Sequence, residues 1–253
     1  MNREKEYRNV TTMGYPVFCG DLEDIKVKDA VLVSTINQYS YCIAERDVAF
    51  KQALMDSDVL LPDGVGITFA SKFLNGREIK KIAGADIHSF LLQKLNRENG
   101  SCFYLGAMES TLKLIRERVQ REYPNVKVGS FSPAFKPSFS KEDTAAMQKA
   151  VNQFKPQVLF VGMTAPKQEK WAFENKDHLE VGLICSIGAV FDFYAGTVKR
   201  PGKIWITLGL EWLGRLVREP KRMWKRYIYY GFVFMWALVK KKAKTLGNKT
   251  KEI

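Results

Sequence analysis

The segment 158–171 reads VLFVGMTAPKQEKW, and it carries the pattern that decides the fold. Its first four residues are all apolar, which is typical of a strand buried on both faces of a parallel sheet. Gly162 ends this run, and Pro166 suits the first helical turn, where a missing N–H costs no hydrogen bond. The segment therefore predicts a strand, a loop and a helix, with Lys167 and Gln168 near a helix N-terminus that favours anions such as a diphosphate.

The same alternation extends in both directions along the chain. Short apolar runs predict further strands at 31–36, 59–61, 102–105, 126–128 and 181–185. Helical periodicity predicts helices at 41–55, 67–74, 86–95, 111–122, 141–154 and 167–175. Strands that alternate with helices indicate an α/β fold with a parallel sheet covered on both faces, in which ligands bind at the carboxyl ends of the strands.

The basic charge of the chain is concentrated at its C-terminal end. The whole chain has 40 Lys and Arg against 27 Asp and Glu. Residues 197–253 hold 15 of these basic residues and 3 glutamates, a net charge of +12, which leaves 25 basic and 24 acidic residues in 1–196. We therefore predict a neutral domain, 1–196, and a basic, aromatic-rich appendage, 197–253. The charged N-terminal residues 1–8 contain no apolar signal segment, so we expect a cytoplasmic protein.

The appendage combines a basic helical face with an uncharged aromatic stretch. Arg215, Arg218 and Arg222 lie along one face at helical spacing, and Pro220 is expected to bend or break that helix. The thirteen residues 227–239 carry no charge, but a membrane span needs about 20 apolar residues. Aromatic and basic residues favour the surface of an anionic membrane, so we predict an interfacial segment. A core-packing helix pair with a solvated lysine tail stays open; a nucleic-acid tail is disfavoured, because the uncharged stretch offers nothing to phosphates.

Polar residues follow the first two strands of the predicted sheet. Thr35 and Asn37 come at the end of the first strand, and Asp63 follows the second. A carboxylate at a strand end suits a general base, and Gly64 and Gly66 let a ligand approach the backbone closely. Simpler interpretations stay open, in which Asn37 caps the next helix and Asp63-Gly64 forms an ordinary turn.

Two further acidic positions call for opposite interpretations. Asp192 is the one charge in the apolar run 187–196, and a buried charge must be paired or bound, so we expect it to bind substrate. The segment 56–58, Asp-Ser-Asp, matches a metal-binding pattern of sugar transferases, but it precedes its strand, so we predict a turn. The chain has no dinucleotide fingerprint, Walker loop or zinc-protease motif. With two histidines and four scattered cysteines, we expect no metal site and no disulfide.

Taken together, these segments resemble the WecG/TagA/CpsF family of bacterial glycosyltransferases. The strings APKQEKW at 165–171 and GLEWLGRLVREP at 209–220 are highly specific, and shorter matches lie at 35–37, 62–66, 83–86 and 188–193. The resemblance implies a Rossmann-like glycosyltransferase fold with a helical, membrane-associating C-terminal appendage. It also implies inverting transfer, without metal or cofactor, from a UDP-sugar to a polyprenyl-diphosphate-linked saccharide at the cytoplasmic face of the plasma membrane, in cell-surface polysaccharide synthesis.

The resemblance assigns roles to individual residues. Asp63 matches the proposed catalytic base, and Thr35 and Gln168 are the other two catalytic candidates. Both of these, together with Asn37 and Asp192, match positions of the donor pocket. The other substrate-binding candidates are Gly64, Gly66, Lys81, Gly162 and Lys167. Arg215, Arg218 and Arg222 match arginines that are thought to reach a substrate diphosphate.

The chain departs from the family pattern at Lys81, where the family usually has arginine. Lysine keeps the positive charge but loses the bidentate fork, so the donor preference could differ. N-acetylmannosamine, its uronic acid and glucuronic acid are all used in the family, and the sequence does not select among them. Two rival functions remain: a non-catalytic membrane-surface protein that keeps the fold, and another nucleotide-sugar enzyme such as an epimerase.

Overall fold

The computed structural model describes residues 7–198 and 211–249. In these residues, the strands form an antiparallel hairpin of two strands and a parallel sheet of six. The hairpin consists of β1 (Asn9–Thr12) and β2 (Tyr15–Phe18). The parallel strands are β3 (Val31–Ile36), β4 (Val59–Pro62), β5 (Ser101–Gly106), β6 (Lys127–Phe131), β7 (Val158–Gly162) and β8 (Leu183–Ser186). They lie in the order β4-β3-β8-β7-β5-β6, which confirms the predicted parallel α/β sheet.

Helices follow the strands in the alternation that the sequence predicts. The α-helices within residues 7–198 are α1 (Gln38–Ala44), α2 (Val48–Met55), α3 (Val65–Asn75), α4 (Gly84–Arg97), α5 (Glu109–Glu122), α6 (Lys141–Phe154), α7 (Lys167–Asn175) and α8 (Ala189–Ala195). The single helix predicted for 41–55 is wrong. The chain breaks at Asp47, whose side chain accepts a hydrogen bond from the N–H of Phe50 and starts α2 as its N-cap.

Apolar layers cover both faces of the sheet, and all of its strands except the edge strand β6 are largely buried. Val33 and Phe160 point to the side covered by α4, α5 and α8, where one cluster of buried residues lies. Leu32 and Leu159, their strand neighbours, point to the opposite side with buried residues of α6 and α7. Successive strand residues thus contact opposite helical layers, which is the Rossmann-like arrangement that the resemblance implies.

The C-terminal helices pack against the body. After the undescribed residues 199–210, the chain forms α9 (Glu211–Arg218), α10 (Pro220–Trp224), a π-helical turn (Lys225–Tyr229) and α11 (Tyr230–Lys249). Pro220 occupies the first turn of α10, so the predicted break is confirmed. One face of α11, with Tyr230, Phe234 and Leu238, is buried in a cluster that includes Tyr15 of the hairpin and residues of α1, α2 and α3.

The opposite face of α11 is exposed and also apolar. Phe232, Trp236 and Val239 are 74%, 64% and 50% exposed, and their spacing places them away from the buried face. The tail is thus partly the core-packing element that the sequence left open, and it keeps an outward apolar face. None of the described helices contains the length of uncharged, apolar residues that a membrane-spanning segment needs.

Candidate active site

A large cleft opens at the carboxyl ends of the parallel strands. Its volume is about 990 Å³, and the loops after β3, β4, β5, β7 and β8 all contribute to its walls. The strand ends are level because neighbouring strands pair in register, with Ile36 beside Pro62 and Gly106 beside Gly162. The position is the one at which open α/β sheets bind ligands.

The cleft brings together most of the residues selected from the sequence. Lining residues among them are Thr35, Asn37, Asp63, Gly64, Lys81, Gly162, Lys167, Gln168, Asp192 and Arg215. Gly66 does not line it, since it lies in the first turn of α3 behind Gln38, whose Oε1 would be 2.8 Å from an added Cβ. Arg218 and Arg222 belong to α9 and α10, but their side chains lie outside the described part of the chain.

Asp63 occupies the turn between β4 and α3, and its backbone N–H donates to the carbonyl of Ile36 at 2.9 Å. The next residue, Gly64, has φ = +112°, a conformation that residues with a Cβ rarely adopt. This turn holds Asp63 half-buried in the wall of the cleft. A carboxylate placed there can accept a proton from a hydroxyl group bound in the cleft.

Asn37 performs the capping role that the sequence left open. Its Oδ1 accepts hydrogen bonds from the N–H groups of Tyr39 and Ser40, both at 3.0 Å, at the start of α1. The hydroxyl of Ser40 in turn accepts a hydrogen bond from the N–H of Asn37 at 2.8 Å. Asn37 therefore shapes the wall of the cleft through the helix start as well as lining it.

Gln168 connects two walls of the cleft. Its Oε1 accepts from the N–H of Met163 at 3.1 Å, after β7, and from the N–H of Gly188 at 3.2 Å, after β8. Its Nε2 donates to Oε1 of Glu169 at 2.8 Å. Because both ends of the amide are occupied within the protein, Gln168 is suited to fixing the two loops rather than to chemistry on a substrate.

Glu169 is the unusual neighbour in this group. Its side chain lines the cleft and is only 3% exposed, and its Oε2 is buried with no hydrogen-bond partner. Burial raises the pKa of this carboxyl to about 7, against smaller opposing contributions from Gln168 and Arg226. The sequence pattern does not predict the burial of Glu169, because a glutamate among charged helix residues is usually exposed to solvent.

Asp192 and Lys167 differ from expectation in their surroundings. Asp192 lines the cleft but is half-buried, so the premise that it is a fully buried charge is wrong. Lys167 donates from Nζ to the carbonyl of Lys136 at 2.7 Å, and its ammonium lies 4.4 Å from the centre of the Phe139 ring. Burial lowers the pKa of Lys167. These contacts tie α7 to the loop after β6.

The tail closes one side of the cleft. Trp212, Arg215, Arg226 and Tyr227 all line it. The Cζ of Arg226 lies 4.6 Å from the ring centre of Tyr39. Burial lowers the pKa of Arg226, the nearby Arg215 lowers it too, and the carboxylate of Asp63 raises it. Two guanidinium groups therefore face the same space as the candidate base.

Arg226 was not among the residues selected from the sequence. It lies eleven residues after Arg215, which is about three helical turns. On an unbroken helix this spacing would place Arg226 on the same face as Arg215 and Arg222. In the structure, the non-helical backbone at Glu219 (φ = −130°, ψ = 61°) and the π-helical turn at Lys225–Tyr229 reorient the chain, so regular helical spacing from α9 does not continue to Arg226.

The segment 56–58 lies at the opposite edge of the sheet from the cleft. Oδ2 of Asp58 accepts from the N–H of Leu32 at 2.8 Å, and the hydroxyl of Ser57 donates within the core. The predicted structural turn is thus confirmed. Among the described residues, no three His, Cys, Asp or Glu side chains form a group that could hold a metal ion.

The cleft brings a carboxylate and two arginines together at the carboxyl ends of a parallel α/β sheet, the position at which such sheets bind ligands. The chain belongs to the WecG/TagA/CpsF family of glycosyl transferases, and the match covers residues 9–248. It is therefore a glycosyltransferase.

Two similar proteins come from Bacillus subtilis and Staphylococcus aureus. An N-acetylglucosaminyldiphosphoundecaprenol N-acetyl-beta-D-mannosaminyltransferase of Bacillus subtilis is 30% identical over 204 residues, which is 81% of this chain and 77% of the relative. The enzyme of the same name from Staphylococcus aureus is 25% identical over 214 residues, 85% of this chain and 82% of that relative. The family match over residues 9–248 covers both the sheet and the C-terminal helices.

Proposed function

We propose that this chain transfers N-acetylmannosamine from a UDP-sugar to a polyprenyl-diphosphate-linked N-acetylglucosamine, with inversion at the anomeric carbon. The names of the relatives support this sugar and this acceptor. The observation that carries the proposal is the meeting of Asp63, Arg215 and Arg226 in one cleft at the strand ends. A carboxylate beside two guanidinium groups matches what the reaction requires.

The reaction divides between these groups. The acceptor hydroxyl oxygen attacks the anomeric carbon while Asp63 takes the hydroxyl proton. The bond between the anomeric carbon and the UDP oxygen breaks, and UDP leaves with its electron pair. We expect Arg215 and Arg226, which line the same cleft, to pair with the developing phosphate charge.

The same residues make a bound metal unnecessary in the proposed mechanism. Guanidinium groups bind diphosphate bidentately and stay charged at neutral pH. They can therefore neutralise the diphosphate charge, as a divalent cation does in other sugar transferases. The N-terminus of α7 and the backbone at Gly162 add further N–H groups near the cleft. We expect Thr35, Lys81 and Asp192 to contact the donor, and Gln168 to hold the loops that shape its pocket.

The outward face of α11 supports a peripheral position on an anionic membrane, which we place on the cytoplasmic side. Phe232, Trp236 and Val239 present apolar area, and the Nζ of Lys240 lies 5.0 Å from the ring centre of Trp236. Aromatic groups flanked by lysines suit the headgroup region. Because Phe234 and Leu238 are core residues, deleting the tail would uncover the core, so substitutions on the outer face are the better test.

The proposal is tested by measuring UDP release across a panel of UDP-sugars with a synthetic N-acetylglucosaminyl-diphosphate-lipid acceptor. UDP-N-acetylmannosamine should give acceptor-dependent release, unchanged by EDTA. Release only with a different donor would replace the sugar, and a strict requirement for added Mg²⁺ or Mn²⁺ would refute the metal-independent mechanism. No release with any donor, alongside binding to anionic vesicles, would favour the non-catalytic alternative.

A further inference from the structure

An exposed apolar stripe runs along helix α3 away from the cleft. Val65, Phe69 and Phe73 are 40%, 48% and 39% exposed, and their spacing of four residues places them on one face of the helix. The rings of Phe69 and Phe73 stack, with their centres 5.8 Å apart. None of the catalytic assignments above uses these two phenylalanines.

The stripe connects two features that concern a lipid-linked substrate. At one end, Val65 lines the cleft two residues after Asp63. At the other end, the Nζ of Lys242 on α11 donates to the carbonyl of Phe73 at 2.8 Å and lies 5.4 Å from its ring centre. Eight residues of helix span about 12 Å, so the stripe extends from the base candidate to the lysine-rich helix.

The width of the stripe indicates what it contacts. Lys72 is exposed beside it and pairs with Glu78, and Arg77 is exposed as well, so charged groups border the apolar row. A face immersed in hydrocarbon would not carry such charges, because they are costly to remove from water. A row one side chain wide suits a single apolar chain better than a bilayer or a second protein surface.

We propose that the α3 stripe, Val65–Phe69–Phe73, holds the polyprenyl chain of the acceptor where it leaves the cleft. The inference rests on the proposed function, since it requires an acceptor whose diphosphate binds beside Asp63. Helical side chains lean toward the helix N-terminus, so both rings lean toward the cleft. The polyprenyl chain then passes over them toward α11 and the membrane.

The test compares long and short acceptors. In Phe69→Ser/Phe73→Ser, the KM for an undecaprenyl-diphosphate acceptor should rise roughly tenfold, which corresponds to about 1.4 kcal/mol of lost binding. The KM for a short-alkyl acceptor, the kcat with it and the binding to anionic vesicles should not change. Phe69→Leu/Phe73→Leu keeps an apolar row and should retain the low KM, and Leu114→Ser on α5 is the control for losing an exposed apolar side chain.

Three outcomes would overturn the proposal. If the serine variant showed equal increases in KM for both acceptors, the defect would lie in the cleft. If it lost binding to vesicles, the stripe would contact the bilayer. If it formed a smaller oligomer than wild type, the stripe would contact a second copy of the chain. Equilibrium binding of undecaprenyl diphosphate in detergent micelles repeats the comparison without turnover. It separates failure of the stripe from failure of the proposed function, because wild type and variant can then be compared even if no sugar is transferred.

Discussion

Glu169 makes a prediction about how stability depends on pH. Its carboxyl is buried beside the cleft, one oxygen bonds to Gln168, and the other has no hydrogen-bond partner. The substitution Glu169→Gln keeps the shape and the acceptor for Gln168 but removes the ionisation. It therefore isolates the cost of placing a carboxylate in this position.

The magnitude follows from the pKa. Burial raises the pKa of Glu169 from 4.5 to about 7. Between these two pKa values the folded protein binds more protons than the unfolded chain, so the free energy of unfolding falls as the pH rises. A shift of this size costs about 3 kcal/mol in total, fully expressed above the folded pKa and absent below the unfolded one. At alkaline pH the glutamine variant should be the more stable protein by that amount.

The assay is denaturant unfolding of wild type and variant between about pH 5 and pH 8.5. From the acidic to the alkaline end of this range, the free energy of unfolding of Glu169→Gln should rise by about 2 to 3 kcal/mol relative to that of wild type. Taking the difference cancels other titrating groups, such as the buried His88, whose pKa burial lowers to about 3. Glu174→Gln, on the exposed side of the same helix, is the matched control. If the Glu169→Gln difference were constant with pH, the carboxyl would not be desolvated in the folded protein.

Three further predictions concern the tail and the cleft. Phe234→Ala should lower the free energy of unfolding by about 3 to 5 kcal/mol, because its ring is only 2% exposed. Trp236→Ala, on the outer face of α11, should leave the free energy of unfolding nearly unchanged and reduce binding to anionic vesicles. Equal losses of stability in the two variants would contradict the distinction between a buried and an exposed face. Arg226→Gln should lower kcat/KM by about 10²-fold or more, with little effect on the melting temperature, if the guanidinium acts on diphosphate charge; an unchanged kcat/KM would remove it from the site. Asn37→Ala should cost about 1 kcal/mol of stability through loss of the α1 cap, which thermal unfolding would detect; no loss would mean that the cap is dispensable.

The sequence predicted the sheet well because burial on both faces leaves a simple pattern of apolar runs. The bounds of α6 and α7 were predicted to the residue, helped by Ser140 as a cap and Pro166 before the helix. The hairpin β1–β2 was not predicted, because its strands have four residues each and one contains Pro16. Such short strands are stabilised by packing rather than by their own pattern.

The site was predictable only where residues follow strands. Asp63 and Gly162 lie at strand ends, and the parallel topology brings them together. Arg226, Trp212 and Tyr227 reach the same cleft from the tail, which requires long-range packing of α11 on α1 and the hairpin. Local periodicity contains no information about that docking, and so it could not tell which tail residues face the cleft.

The measurement that tests the central claim most directly is turnover by Asp63→Asn beside wild type, with UDP-N-acetylmannosamine and an N-acetylglucosaminyl-diphosphate-lipid acceptor. Calorimetric binding of UDP to both proteins serves as the control for an intact cleft. If Asp63 is the base, the variant should lose about 10²-fold or more of kcat while its Kd for UDP stays within about twofold of wild type. Turnover by the variant at close to the wild-type rate would contradict the account.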